Sequence, residues 1–143
     1  MAMALLSLAG LFIALYLHLY KIGKIGSLAC GTGGCETVQL SSYSTFLGIG
    51  VAFIGVLGYA VMFGVAMLAL QPRFAGATWP LKAMVILSAG ALVFTLYLTY
   101  VELFVIEAIC RYCVASAVLV VSLFLVSLFD LRKSHRASGP TPA

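Results

Sequence analysis

Residues 110–129 read CRYCVASAVLVVSLFLVSLF, a run whose only charge is Arg111. An α-helix rises about 1.5 Å per residue and the hydrocarbon core of a bilayer is about 30 Å thick, so roughly 20 apolar residues make one crossing. This stretch therefore reads as a spanning helix that opens on two cysteines. Working back along the chain, Leu81 to about Val105 forms another span, ending near Glu102 and Glu107. Before it lies Leu47–Leu70, broken by Gln71-Pro72-Arg73. Its Gly48, Gly50, Gly55, Gly58 and Gly64 include small-residue spacings that let a neighbouring helix approach closely. The first span is Ala2–Tyr20, closed by Tyr16 and Tyr20 beside Lys21, an interfacial aromatic pair followed by a snorkelling cation. The segment from Lys21 to Phe46 is polar and glycine-rich and cannot cross hydrocarbon unpaired, so it is expected to be a loop. Asp130, Arg132, Lys133 and Arg136 close the last span, and the tail from Ser138 to Ala143 is expected to be disordered. The expectation is a single membrane domain over residues 1–143, an all-α integral membrane bundle of four transmembrane helices at about 2–20, 47–70, 81–105 and 110–129.

Composition leads to the same class. The chain has 143 residues, 64% hydrophobic and 8% charged, with mean hydropathy +1.18. A soluble domain carries roughly a quarter charged residues, so an ordinary water-soluble globule is excluded. The net charge of +4 is spread over the ends of apolar runs, without the cluster or stacking aromatics of a nucleic-acid footprint. The first apolar run lacks a basic leader, so it reads as a span and not as a cleaved signal peptide. With four spans, Arg73, Lys82, Arg132, Lys133 and Arg136 share one side with both termini, and Lys21, Lys24 and Arg111 share the other. The positive-inside rule then expects cytoplasmic termini in a cell inner or plasma membrane, with all four cysteines at the external face.

Those cysteines form two close pairs, Cys30/Cys35 around Gly-Thr-Gly-Gly in the loop and Cys110/Cys113 around Arg-Tyr. Helical positions i and i+3 lie about 5–6 Å apart on one face, which suits the Cα separation of a disulfide. A helix N-terminus and Arg111 favour thiolate at the second pair. A bilayer slot beside it suits a lipid-soluble quinone. The glycines between Cys30 and Cys35 leave that loop free to re-pair. The simplest arrangement is a relay, from substrate thiols to Cys30/Cys35, on to Cys110/Cys113, and then to a quinone. Two alternatives stand beside it. One is a non-catalytic scaffold stapled by structural disulfides; the other is a four-thiolate zinc site, disfavoured at an oxidising face, so no metal is expected.

Cys30, Cys35 followed by Val38, Ser41 and Tyr43-Ser44, then Gly48-Ile49, and finally Cys110-Arg-Tyr-Cys113 resemble the vitamin K epoxide reductase family, specifically its bacterial disulfide-forming homologues. The resemblance covers nearly the whole chain. It implies a four-helix bundle around a quinone of ubiquinone, menaquinone or vitamin K type, capped by the external loop and a short horizontal helix. It also implies that Cys113 reacts with the quinone, Cys110 is its disulfide partner, Cys35 exchanges with Cys110, and Cys30 meets a separate DsbA-like thioredoxin-fold protein. Three features depart from the family pattern: only four residues separate the loop cysteines, Gly50 stands where many bacterial members have proline, and Ala117 stands where vertebrate members carry a quinone-contacting tyrosine. Reduction of a plain quinone is therefore expected ahead of reduction of vitamin K or its epoxide.

Among other residues, Ser41 and Ser42 are candidates to hydrogen-bond the quinone or to cap the short helix before span two. Tyr43 and Tyr112 are candidates to close the pocket. Glu102 and Glu107 are candidate proton relays, read first as interfacial acids at the end of span three. His18 is expected to pack near an interface, and His135 to be solvated.

Overall fold

The structure is a computed structural model, described for residues 1–24, 26, 37, 41–74 and 76–137. Four helices are long and apolar enough to cross a membrane: α1 (Ala2–Lys21), α2 (Val51–Leu70), α3 (Trp79–Val101) and α4 (Arg111–Ala137). They pack as a ring, α1 on α2, α2 on α3, α3 on α4 and α4 on α1. The all-α four-span membrane fold is thus the observed one. Large apolar side chains such as Ile86, Val93, Leu96 and Phe129 face outward, as a lipid solvent requires.

The ends of the helices differ from the hydropathy boundaries for local reasons. α1 stops in a Schellman turn: Lys24 N–H donates to the Leu19 carbonyl at 2.9 Å and Gly23 N–H to that of Tyr20 at 3.0 Å. Gly23 takes the left-handed conformation that this turn needs, φ 82°. The second span was expected from Leu47, but α2 starts at Val51. The residues before it form a small hairpin, β1 (Thr45–Phe46) antiparallel to β2 (Ile49–Gly50). Leu47 and Gly48 both have positive φ, 53° and 82°, as a two-residue loop of type I′ requires. α3 starts at Trp79, before the expected Leu81, because Pro80 is tolerated in a first helical turn. It runs on into a π-helical turn, Glu102–Ile106. There the Glu102 carbonyl accepts Ala108 N–H at 3.2 Å, and Glu107 ends the turn at φ 56°. α4 continues past the expected end at Phe129, since charged residues are good helix formers once outside hydrocarbon. The tail from Ser138 lies outside the described residues.

Two apolar clusters hold the ring together. The larger joins Met3, Ala4, Ala14, Tyr59, Met62, Ala66, Met84, Val120 and Leu123. The smaller, at the cysteine end, joins Leu17, Ala52 and Cys110, with Tyr16, Tyr20, Tyr112 and Cys113 packed around them. Tyr59 links the layers. A Cβ at Gly10 would lie 2.1 Å from its ring, so α1 must carry glycine there. Its hydroxyl donates to the Ser116 carbonyl at 3.1 Å and lies 2.8 Å from Ser116 Oγ, which ties α2 to α4 across the bundle. Of the glycines expected to admit a neighbouring helix, Gly55 does so, since a Cβ there would lie 3.4 Å from the Ala14 Cβ. Gly58 and Gly64 face open space.

Candidate functional site: a dithiol on an apolar cavity

The break between the π turn and α4 places Cys110. Its carbonyl accepts Val114 N–H at 3.0 Å, which makes it the residue that opens α4, and Cys113 follows in the first turn. Both carry thiols; Cys110 is fully buried and Cys113 half-buried. The two side chains are within hydrogen-bonding reach of each other. Cys110 sits in the turn between spanning helices. The Cys113 thiol, aided by the backbone N–H groups of Cys113 and Tyr112, holds the Cys110 thiol below its ordinary pKa, against the opposing effect of burial. Arg111, expected together with the helix N-terminus to favour thiolate here, is exposed.

Cys113 opens onto a cavity of about 320 Å³ between the four helices, a volume at the lower end of ligand sites. α1 contributes Ile13, Ala14 and Leu17, and α2 contributes Ala52, Gly55, Gly58 and Tyr59. α3 adds Gly90, Ala91, Phe94, Thr95 and Thr99, and Cys113, Ser116 and Val120 complete the wall from α4. Glycine and alanine on three helices leave the space; the polar groups are few and gathered toward the thiol. A second, water-sized cavity of about 30 Å³ lies on the other side of Cys113, lined by Tyr43, Ser44, Val101, Glu102 and Ile106 among others.

Of the residues expected to bind a quinone, Cys113 lines both cavities and Tyr43 the smaller one. Ser41, Ser42 and Tyr112 line neither. Ser41 starts the 3₁₀ turn Ser42–Ser44 and its carbonyl accepts both Ser44 N–H, at 3.1 Å, and Ser44 Oγ, at 2.7 Å. Ser42 is exposed. Tyr112 turns to α1 and packs on Tyr16 with ring centroids 5.3 Å apart. In their place the structure sets Ser44, which accepts a hydrogen bond from Lys21 Nζ and lines the small cavity, together with Tyr59, Thr95, Thr99 and Ser116 on the large one. Cys30 and Cys35 lie outside the described residues.

Glu102 is the larger departure. Read as an interfacial acid, it is 7% exposed and lines both cavities. Its carboxyl lies close to the Cys113 thiol and the Cys110 backbone N–H. Glu102 continues the cavity-facing stripe of α3, after Phe94, Thr95, Leu98 and Thr99, and is still in regular helical conformation where the π turn begins. Glu107 is exposed.

A multi-pass membrane bundle with a dithiol at the mouth of an apolar cavity is the class that fold and site define. The family model described as the Vitamin K epoxide reductase family matches residues 1–128, and the chain belongs to that family. It is accordingly a membrane oxidoreductase of the thiol and quinone type.

Proposed function

We propose that this protein is a thiol:quinone oxidoreductase that supports disulfide bond formation outside the cytoplasm, in the manner of the bacterial members of its family. Electrons enter from a separate DsbA-like thioredoxin-fold protein at Cys30, pass through Cys35 to Cys110, and leave from Cys113 to a plain quinone. The termini are cytoplasmic and the cysteines external, supported by the bias of Lys and Arg toward the termini's side. One observation carries the reading: the Cys113 thiol stands on the wall of an apolar cavity open to a flat, lipid-soluble acceptor, with the Cys110 thiol against it.

Cys110, favoured as thiolate by the donors around it, is the sulfur suited to attack a neighbouring disulfide or Cys113 itself. Cys113, adjoining the cavity, is the sulfur that meets the quinone ring. Thr95, Thr99 and Ser116 offer hydroxyls in an otherwise apolar wall, where a few polar groups set a ligand's orientation.

The test mixes fully reduced protein in detergent with a short-chain quinone under exclusion of oxygen. Quinol should form as the Cys110–Cys113 disulfide closes, and Cys113→Ala should abolish it. Quinone reduction near the wild-type rate in Cys113→Ala would overturn the assignment.

A further inference from the structure

Reducing a quinone with two thiols moves two protons as well as two electrons. The cavity wall is mostly apolar and offers few groups that can exchange a proton. In both cavities adjoining Cys113, Glu102 is the only charged side chain among the described lining residues. It is buried, its carboxyl lies within reach of the Cys113 thiol, and it ends the stripe of α3 residues that faces the cavity. The groups that titrate around it are Cys110 and Cys113 from the start of α4, Tyr59 from α2 and Tyr43 from the turn before the hairpin. The lining residues of α1 are apolar.

We propose that Glu102 is a catalytic residue, the proton carrier between the Cys110/Cys113 dithiol and the quinone oxygens. This rests on reading the large cavity as a quinone site. Cys113 gives its thiol proton to the Glu102 carboxylate while its sulfur bonds to a ring carbon. The electron pair displaced onto a carbonyl oxygen then takes that proton back from Glu102. Cys110 loses its proton to the same carboxylate, which lies against its backbone N–H, and attacks the Cys113 sulfur. The S–S bond forms and the S–C bond breaks. The released pair moves through the ring to the second oxygen, which is protonated by Glu102. Two thiols become a disulfide, the quinone becomes a quinol, and Glu102 ends ionised as it began.

A buried acid here also has a structural use, as the acceptor for the unpaired N–H at the start of α4. Glu102→Gln keeps an oxygen for that N–H and removes only the ionisation, so it separates the two roles. With purified full-length protein and a short-chain quinone, single-turnover quinol formation should fall about 100-fold, the lower end for a general acid–base group. The KM for quinone should stay within about twofold of wild type, as expected for an interaction made only in the transition state. The variant's rate should climb with pH as thiol ionisation passes to hydroxide, while the wild-type rate changes little over the same range. Glu102→Asp, which retains a carboxylate, should recover at least about tenfold over Gln. Equal rates for Glu102→Gln and wild type, or Asp and Gln equally slow, would overturn the role of Glu102 and leave the quinone reading standing. A wild-type protein that leaves the quinone unreduced would overturn both.

Discussion

The two halves of this bundle are built from the same four helices and differ in how their axis is filled. Below Tyr59, Met62, Met84 and Leu123 close the axis, with Met84 and Leu123 at 0% exposure. Above it, Ala52, Gly55, Gly58, Gly90 and Ala91 leave the axis hollow as far as Cys113. In lipid the gain from driving apolar residues together is small, so tight packing is what holds helices in register. One half of the molecule provides that packing, and the other leaves the cavity in which the quinone is proposed to sit.

The division can be broken from either side. The largest effect is expected from opening the sealed half: Leu123→Ala should cost about 3 kcal/mol, within the range for buried leucines, read as a lower unfolding midpoint. Quinone reduction by the fraction that remains folded should be close to wild type. A stability loss below about 1 kcal/mol would show that the lower half is not the clamp. A smaller effect is expected from filling the hollow half. A Cβ at Gly90 would meet no atom within 4 Å, so Gly90→Leu fits the cavity and also improves helix propensity. It should raise the quinone KM about tenfold, equivalent to roughly 1.4 kcal/mol, without loss of folded protein. An unchanged KM would place the quinone elsewhere.

The smallest effect concerns the hairpin that ends the loop. Gly50 has φ −60° and ψ 131° in an extended strand residue that precedes α2, and Ile49 before it is also extended. Both conformations are those proline and its predecessor prefer. Gly50→Pro should therefore stabilise the protein by about 0.4–1 kcal/mol through the unfolded chain, checked by the shift in its unfolding midpoint. Destabilisation would mean that Gly50 N–H is needed in the ladder.

The four crossings were legible because hydropathy over about 20 residues averages out local detail. What stayed hidden depends on one or two residues of backbone. Leu47 gave no sign of a type I′ turn, because leucine is a poor resident of left-handed space; only Gly48 hinted at it. Glu102 reads as interfacial from its place at the end of an apolar run, yet it shares the face of α3 that carries Phe94, Thr95 and Leu98, and which face meets the cavity is set by packing between helices. Tyr59 and Gly10 are unremarkable in an apolar sequence, and their pairing depends on the register of α1 against α2. The cysteine pair at the start of α4 was legible by spacing alone, whereas the serine of the preceding turn that reaches a cavity is Ser44, one turn residue beyond those first singled out.

The length of α4 also sets a depth gauge. From Asp130 back to Cys113 is about 26 Å of helix at 1.5 Å per residue, slightly less than the hydrocarbon thickness of about 30 Å. Charged Asp130, Arg132, Lys133 and Arg136 continue the same rigid rod, so its far end cannot sink without dragging them into lipid. The Cys113 sulfur is thereby moored just beneath the opposite leaflet's boundary, the depth that the proposed exchange between a water-borne thiol and a fat-soluble ring calls for.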